Sequence, residues 1–346
     1  MSDGFHTVYG RQLVDRLPEF IHRPFLVVTM DDLWPRFAAA LGDGLAGVHF
    51  VETLELSMLE AIEPDLPVAE SVVGLGGGQA VDVAKFVAWK RRLPLFQVPT
   101  AMTVNAPFGH RAGLRVNGIV RYLGYAVPEA VYVDFDVIQS APPALNRAGV
   151  GDILCYHTAH HDWEIANELG RVESQWPYDA GLVADAKQRL DSVLGDLDEI
   201  RQVSDRGIAT LMSAHRWGGA TFHDAGWNPR HIEGMEHFVF YNLEKITGRH
   251  FIHGQPVGLG IYITTLLQEN QPEMMLEALH RVGVDIRPEA MGVTWEDVTE
   301  AIETLPAFVE EAGLWFTAAS AIPIPGDLVD RARAGIRSKY GDWRHS

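Results

Sequence analysis

The sequence predicts an α/β half built on a parallel sheet, followed by an all-α half, and three observations predict it. Short apolar runs alternate with helix-period stretches as far as Asp134. One of these runs breaks into a glycine cluster just before a helix. From about residue 145 the strand signals stop, and the period is helical with Gly and Pro interruptions.

Residues 1–23 carry a mixed pattern, with a short helix expected over residues 12–17. Residues 25–30 form a continuous apolar run between Pro24 and Asp31, which is how a strand buried on both faces reads. A helix is expected from Trp34 to Leu41, a second strand over residues 48–51 and a second helix from Leu54 to Ile62. Residues 71–75 give the third strand, and Ala80, Val81, Ala84 and Val87 form the apolar face of the helix after it. Residues 95–98 give the fourth, ending at Pro99 and Thr100. Strands and helices alternating at this spacing mean a doubly wound, Rossmann-like parallel sheet. Ligands of such sheets sit at the carboxyl ends of the strands, where Asp31, the glycines and Thr100 fall. Asn117-Gly118 is a hairpin signal, and residues 131–134 return as one more strand. A domain boundary is expected between Pro143 and Gly151, dividing the chain into residues 1–147 and 148–346.

The glycine cluster Gly74, Gly76, Gly77, Gly78 leads from strand into helix. That geometry presents backbone N–H groups and a positive dipole end to an anion. It matches neither G-x-G-x-x-G nor the P-loop, because Gln79, Ala80 and Val81 follow the third consecutive glycine. Two readings stand at this point, a phosphate-binding turn or only a tight strand-to-helix turn.

With 346 residues, 47% hydrophobic and 21% charged, the chain can bury the cores of two ordinary globular domains. A net charge of −18 excludes nucleic acid and anionic membrane as expected partners, but leaves an anionic small molecule open. The single cysteine, Cys155, forbids an internal disulfide and fits a reducing compartment. No leader pattern and no membrane-length apolar run appears, so a cytoplasmic location is expected.

Two clusters in the second half hold residues suited to chemistry: residues 149–163, with Asp152, His157, His160 and His161, and residues 227–260, with His237 and His253. A carboxylate with two imidazoles is a reasonable three-ligand set for a divalent metal that keeps a position open for substrate.

On residues 76–85 (GGGQAVDVAK), 99–103 (PTAMT), Gly151-Asp152, 234–237 (GMEH) and 253–258 (HGQPVG), the chain resembles a known superfamily. It is the one joining iron-containing alcohol dehydrogenases, glycerol dehydrogenases, glycerol-1-phosphate dehydrogenases and 3-dehydroquinate synthases. The resemblance runs from the first strand to about Gly260 and implies a dehydroquinate synthase-like fold. It implies Asp152, His237 and His253 as both the metal-holding and the catalytic residues. An aspartate at 152, where the synthases have glutamate, favours a dehydrogenase. Iron-type relatives place a histidine one helical turn later, where this chain has Tyr156, while His157 lies about 140° around the helix. That favours a three-ligand zinc site. Asp162-Trp163 with Gly-x-Glu-His resembles the glycerol-1-phosphate dehydrogenase branch. Two departures fall near the implied substrate pocket: Asn105 replaces an aspartate, and residues 227–233 replace a Ser-Arg-Pro-rich approach.

The implied activity is a hydride transfer between NAD or NADP and a small polyol or polyol phosphate, with the metal acting as Lewis acid. Cofactor-binding residues under this resemblance are Asp31, Gly76, Gly77, Gly78, Asp82, Thr100 and Thr103. Asp31 either accepts the ribose hydroxyls, favouring NAD, or caps the next helix. Lys85 either lends charge near the ribose or is a solvated helix lysine. For a substrate phosphate the candidates are His110, Arg111, Arg230 and His231, each otherwise a surface residue. Glu236 either orients the site or faces solvent, and Cys155 is expected to be an inert core residue. The rival reading is a cyclase or lyase of the dehydroquinate synthase type; a nucleotide-binding relative without catalysis is the third. A homo-oligomer, dimer or larger, is implied.

Overall fold

A computed structural model describes residues 4–343. The chain divides into two compact units, one running to Pro142 and taking in His215–His223, the other comprising Pro143–Ala214 and the chain from Asp224 onward.

The first unit runs β1 (His6–Gly10), α1 (Leu13–Phe20), β2 (Phe25–Thr29), α2 (Trp34–Phe37), β3 (Leu45–Phe50), α3 (Leu56–Ile62), β4 (Ser71–Gly76), α4 (Gly78–Arg91), β5 (Leu95–Pro99), β6 (Ala112–Val116), β7 (Ile119–Leu123), β8 (Ala130–Asp134) and α5 (Phe135–Gln139). Six of the strands form an all-parallel sheet in the order β1-β8-β5-β4-β2-β3. Helices cover both faces, so β2, β4, β5 and β8 are buried at every position, which is why they read as unbroken apolar runs. Val27, Val73, Leu75 and Val98 pack with Leu13, Leu17 and Leu41 on one face. Leu26, Val28 and Val72 pack with Ala80, Val83, Ala84 and Val87 on the other. Gly74 permits this closeness, since a Cβ there would stand 2.1 Å from Gln97 Oε1 and 2.8 Å from Ala84 Cβ. The antiparallel pair β6–β7 turns on Asn117 (φ 54°) and Gly118 (φ 78°), both left-handed, as the Asn-Gly signal requires. Two expectations change. β1 pairs with β8 over all five residues where only a mixed pattern was expected, and α2 stops at Phe37 rather than Leu41.

The second unit holds helices and, among the described residues, no strand. In order they are α6 (Pro143–Ala148), α7 (Gly151–Leu154), α8 (Tyr156–Glu168), α9 (Ala180–Gly195), α10 (Leu197–Arg201), α11 (Asp205–Asp224), α12 (Met235–Thr247), α13 (Gly254–Gln268), α14 (Pro272–Val282), α15 (Trp295–Glu303), α16 (Leu305–Ala312), α17 (Ala318–Ala321) and α18 (Leu328–Tyr340). α13 is buried along almost its entire length, the signature of a helix apolar all round, and α7, α8, α12, α14 and α18 pack about it. Among the described residues no helix is long and apolar enough to cross a membrane.

Candidate active site

Two glycine contacts bring the acid and the imidazoles together. A Cβ on Gly151 would lie 2.8 Å from Gly254 Cα, and one on Gly254 only 1.7 Å from the Ala148 carbonyl oxygen. The starts of α7 and α13 therefore meet backbone to backbone, which sets the following Asp152 beside the preceding His253. Asp152 Oδ1 is 2.7 Å from His253 Nε2. Gly260 does the same for α12, because a Cβ there would be 2.4 Å from the Glu236 carbonyl oxygen. His237 Nε2 then lies 3.8 Å from Asp152 Oδ1, and the two imidazole centroids are 5.4 Å apart. One donor atom from each of Asp152, His237 and His253 falls within 4.8 Å of the others.

The other side of His237 is fixed. Its Nδ1 lies 2.9 Å from Glu236 Oε1. That carboxylate, fully buried, also accepts from the Gly234 N–H at 2.7 Å and the Thr158 hydroxyl at 2.7 Å. A proton held on Nδ1 leaves the Nε2 lone pair directed at Asp152 and His253, which suits a cation-binding imidazole. Burial alone would lower the His237 pKa, but Glu233, Asp152 and Glu236 outweigh it and raise it to about 10. Three carboxylates around two imidazoles form a surplus of negative charge, and the donor chemistry fits a divalent cation held by Asp152, His237 and His253.

Asp162 supports the same helix start. It accepts from the Met235 N–H at 2.7 Å, the Gln268 amide at 2.9 Å and the Ala318 N–H at 2.7 Å. Burial, with Glu236 nearby, raises its carboxyl to about 7 against the pull of these donors. Gly234 is glycine because a Cβ would stand 2.5 Å from Asp162 Oδ2. Asp162 and the Gly-Met-Glu-His segment are thus one construction.

In the first unit, β4 ends at Gly76 (φ 155°), where a Cβ would meet Ala80 Cβ at 2.7 Å. At Gly77 a Cβ would meet nothing within 4 Å, so the turn opens onto free space ahead of α4. The Thr100 N–H donates to the Gly76 carbonyl, placing the end of β5 beside the turn, with Thr103 half-buried after it. α4 starts without a side-chain cap, leaving its first N–H groups to a ligand or water.

The iron-containing alcohol dehydrogenase family model matches residues 38–142. The glycerol-1-phosphate dehydrogenase [NAD(P)+] of Thermofilum pendens is 32% identical over 308 residues, covering 86% of this chain and 87% of that protein. This chain belongs to the glycerol-1-phosphate dehydrogenase branch of the iron-containing alcohol dehydrogenase superfamily. The branch member from Thermoplasma acidophilum is 29% identical, covering 77% of this chain and 74% of its own. Glycerol dehydrogenase from Schizosaccharomyces pombe shares the fold, with a TM-score of 0.70 at 17% identity over 99% of this chain and 93% of that one.

Several family-implied residues occupy surroundings the sequence did not reveal. Asp31 is exposed after β2, and α2 begins on Leu33 without a side-chain cap, so Asp31 is not a cap. Asp82 pairs with Lys85 at 2.6 Å and accepts from the Gly113 N–H. Lys85 is buried rather than solvated, and also donates to the carbonyls of Ala106 and Arg111. Arg230 and His231 are buried rather than on the surface. The Arg230 guanidinium is held by the Phe316 and Asp162 carbonyls, and burial pushes His231 down to about 3. His110 is buried with its ring against Phe5 and His223. His157 lies 3.1 Å from the Asn270 carbonyl, outside the ligand group, and Tyr156 is fully buried. Cys155 is buried, donates to the Ile232 carbonyl and has its thiol pKa raised by burial, so it stays protonated. Sequence reasoning passed over Glu233, although an acid four residues before the candidate ligand His237 was a signal within reach.

Proposed function

We propose that this protein is a metal-dependent, NAD(P)-linked dehydrogenase acting on a small polyol or polyol phosphate, of the glycerol-1-phosphate and dihydroxyacetone phosphate type. The observation that carries the reading is the convergence of Asp152, His237 and His253 with His237 Nδ1 fixed by Glu236. Zinc is the proposed ion, because the set offers two imidazoles and one carboxylate, with Tyr156 in the position of a fourth ligand.

A cation bound there supplies Lewis acidity toward the substrate oxygen, and bound nicotinamide supplies the hydride acceptor or donor. The protein's share is orientation and charge. Asp152 contributes the negative ligand, and Glu236, itself held by Thr158 and Gly234, keeps the His237 lone pair on the cation side. Gly76, Gly77 and Gly78 offer backbone N–H groups to the dinucleotide phosphates, with Thr100 and Thr103 beside them. Asp31, exposed at the carboxyl end of β2, is placed to accept ribose hydroxyls, which favours NAD. Asp82 acts in this scheme by holding α4 and the segment at Gly113, through Lys85 and the Gly113 N–H. We further propose that the first unit binds the nucleotide, the second binds metal and substrate, and the protein is a cytoplasmic homo-oligomer.

The test is a substrate panel with metal-loaded protein and each nicotinamide cofactor, followed at the NADH absorbance. It includes glycerol-1-phosphate, dihydroxyacetone phosphate, glycerol and short alcohols. Net oxidation or reduction of a polyol substrate is expected; turnover without net NADH change would favour the cyclase chemistry instead.

A further inference from the structure

Glu233 has no task in the scheme above, yet its position gives it one. It closes a turn in which the Ile232 and Glu233 N–H groups both donate to the Pro229 carbonyl, at 2.9 and 2.8 Å. Tyr241, one helical turn beyond His237 on α12, lies with its ring 6.0 Å from the His237 ring. Its hydroxyl donates to Glu233 Oε2 at 3.3 Å. Among the described residues Tyr241 is the side chain that donates to this carboxylate. Asp152, His237 and Glu236 are buried, whereas Glu233 is half-buried, so among the site's carboxylates it is the one whose residue keeps some exposure. Burial raises its carboxyl above the ordinary glutamate range, with Asp152 and Glu236 adding to the rise and His237 and His253 opposing it.

On the dehydrogenase reading given above, we propose that Glu233 determines substrate specificity by accepting a hydrogen bond from a hydroxyl on the carbon next to the reacting carbinol. In its ionised form, which His237 and His253 favour, this carboxylate accepts and cannot donate, so a hydroxyl suits it and a phosphate does not. A phosphate on that side would add like charge beside Glu233 and Glu236. The substrate class is therefore a vicinal diol whose neutral end faces Glu233 and whose phosphate, when present, lies on the other flank of the carbinol. For glycerol phosphate the two ends are exchanged between enantiomers, so Glu233 also selects the hand.

The experiment uses the metal-loaded full-length protein, its E233A and E233Q variants, and three substrates. These are glycerol-1-phosphate, its enantiomer, and 2-hydroxypropyl phosphate, which lacks the neighbouring hydroxyl. E233A is expected to lower kcat/KM for glycerol-1-phosphate by about tenfold or more relative to 2-hydroxypropyl phosphate, the scale of a lost charge-assisted hydrogen bond. The loss should sit mainly in KM, discrimination between the enantiomers should narrow, and bound metal should stay at the wild-type level. E233Q, which keeps the shape and loses the charge, should fall between, and carries the same test if E233A does not fold. An equal loss on both substrates, or none, overturns the proposal. Loss of metal from either variant also overturns it, because Glu233 would then be a ligand. A wild-type protein inactive on every polyol overturns the dehydrogenase reading itself, and this inference with it.

Discussion

Lys85 and Asp82 lie 2.6 Å apart in the first unit, and the ammonium is shared with the carbonyls of Ala106 and Arg111. In the second unit Asp152, Glu233 and Glu236 gather around His237 and His253. Both groups are buried or half-buried charge, but their bookkeeping differs. In the first, one carboxylate faces one ammonium and the two charges cancel. In the second, carboxylates outnumber the basic groups facing them, so the balance calls for an added cation. On the proposed function, the contrast separates charge that holds a fold from charge that holds a ligand.

The widest effect should come from opening the second group. Asp152→Asn or His253→Ala is expected to cut turnover by about 10³-fold or more, the scale of several kcal/mol of lost charge stabilisation. Bound metal, measured on the same preparations, should disappear. A variant that kept both metal and rate would break the comparison. Opening the first group should act on stability instead. Lys85→Met leaves the half-buried Asp82 without its partner and should cost about 2–4 kcal/mol, read as a lowered Tm, with the metal content unchanged.

Acid should weaken the second unit through two further buried groups. Burial pushes both His160 and His231 down to about 3. They stay neutral in the folded chain while the unfolded chain takes up protons below its ordinary histidine pKa of about 6.5. Unfolded chain thus binds more protons between those values, and stability falls as pH drops. From pH 6.5 to pH 5 each histidine should contribute a loss of about 1–2 kcal/mol, measured by denaturant titration at stepped pH. A flat profile would mean one of them finds a proton-accepting partner on acidification. The smallest effect is expected from Gly77→Ala. Nothing stands within 4 Å of the new methyl group and φ is −79°, so Tm should hold while dinucleotide affinity, measured by calorimetry, falls several-fold.

Much of the first unit was legible because burial on both faces writes an apolar run, as at Phe25–Thr29 and Ser71–Gly76. β1 was not, since His6–Gly10 is an edge strand with exposed and half-buried positions, and its pairing with β8 supplies what its composition lacks. Nor could period reveal that His215–His223 belongs with the first unit, because α11 runs on unbroken through it. The convergence of Asp152, His237 and His253 came from family resemblance, while its cause, contact between backbones at Gly151, Gly254 and Gly260, needed coordinates. The solvated alternatives for Lys85 and Arg230 fail because both are buried, held by carbonyls distant in sequence.

The meeting of Gly151 with Gly254 has a consequence for how such proteins change over time. With no side chain standing in the seam, the backbone approach that brings Asp152 to His253 leaves no room for a larger residue at either glycine. On the proposed function, preference for one ion over another would then be tuned on the remaining side, at Tyr156. The seam is the fixed jaw of a vice whose other jaw is free to be recut.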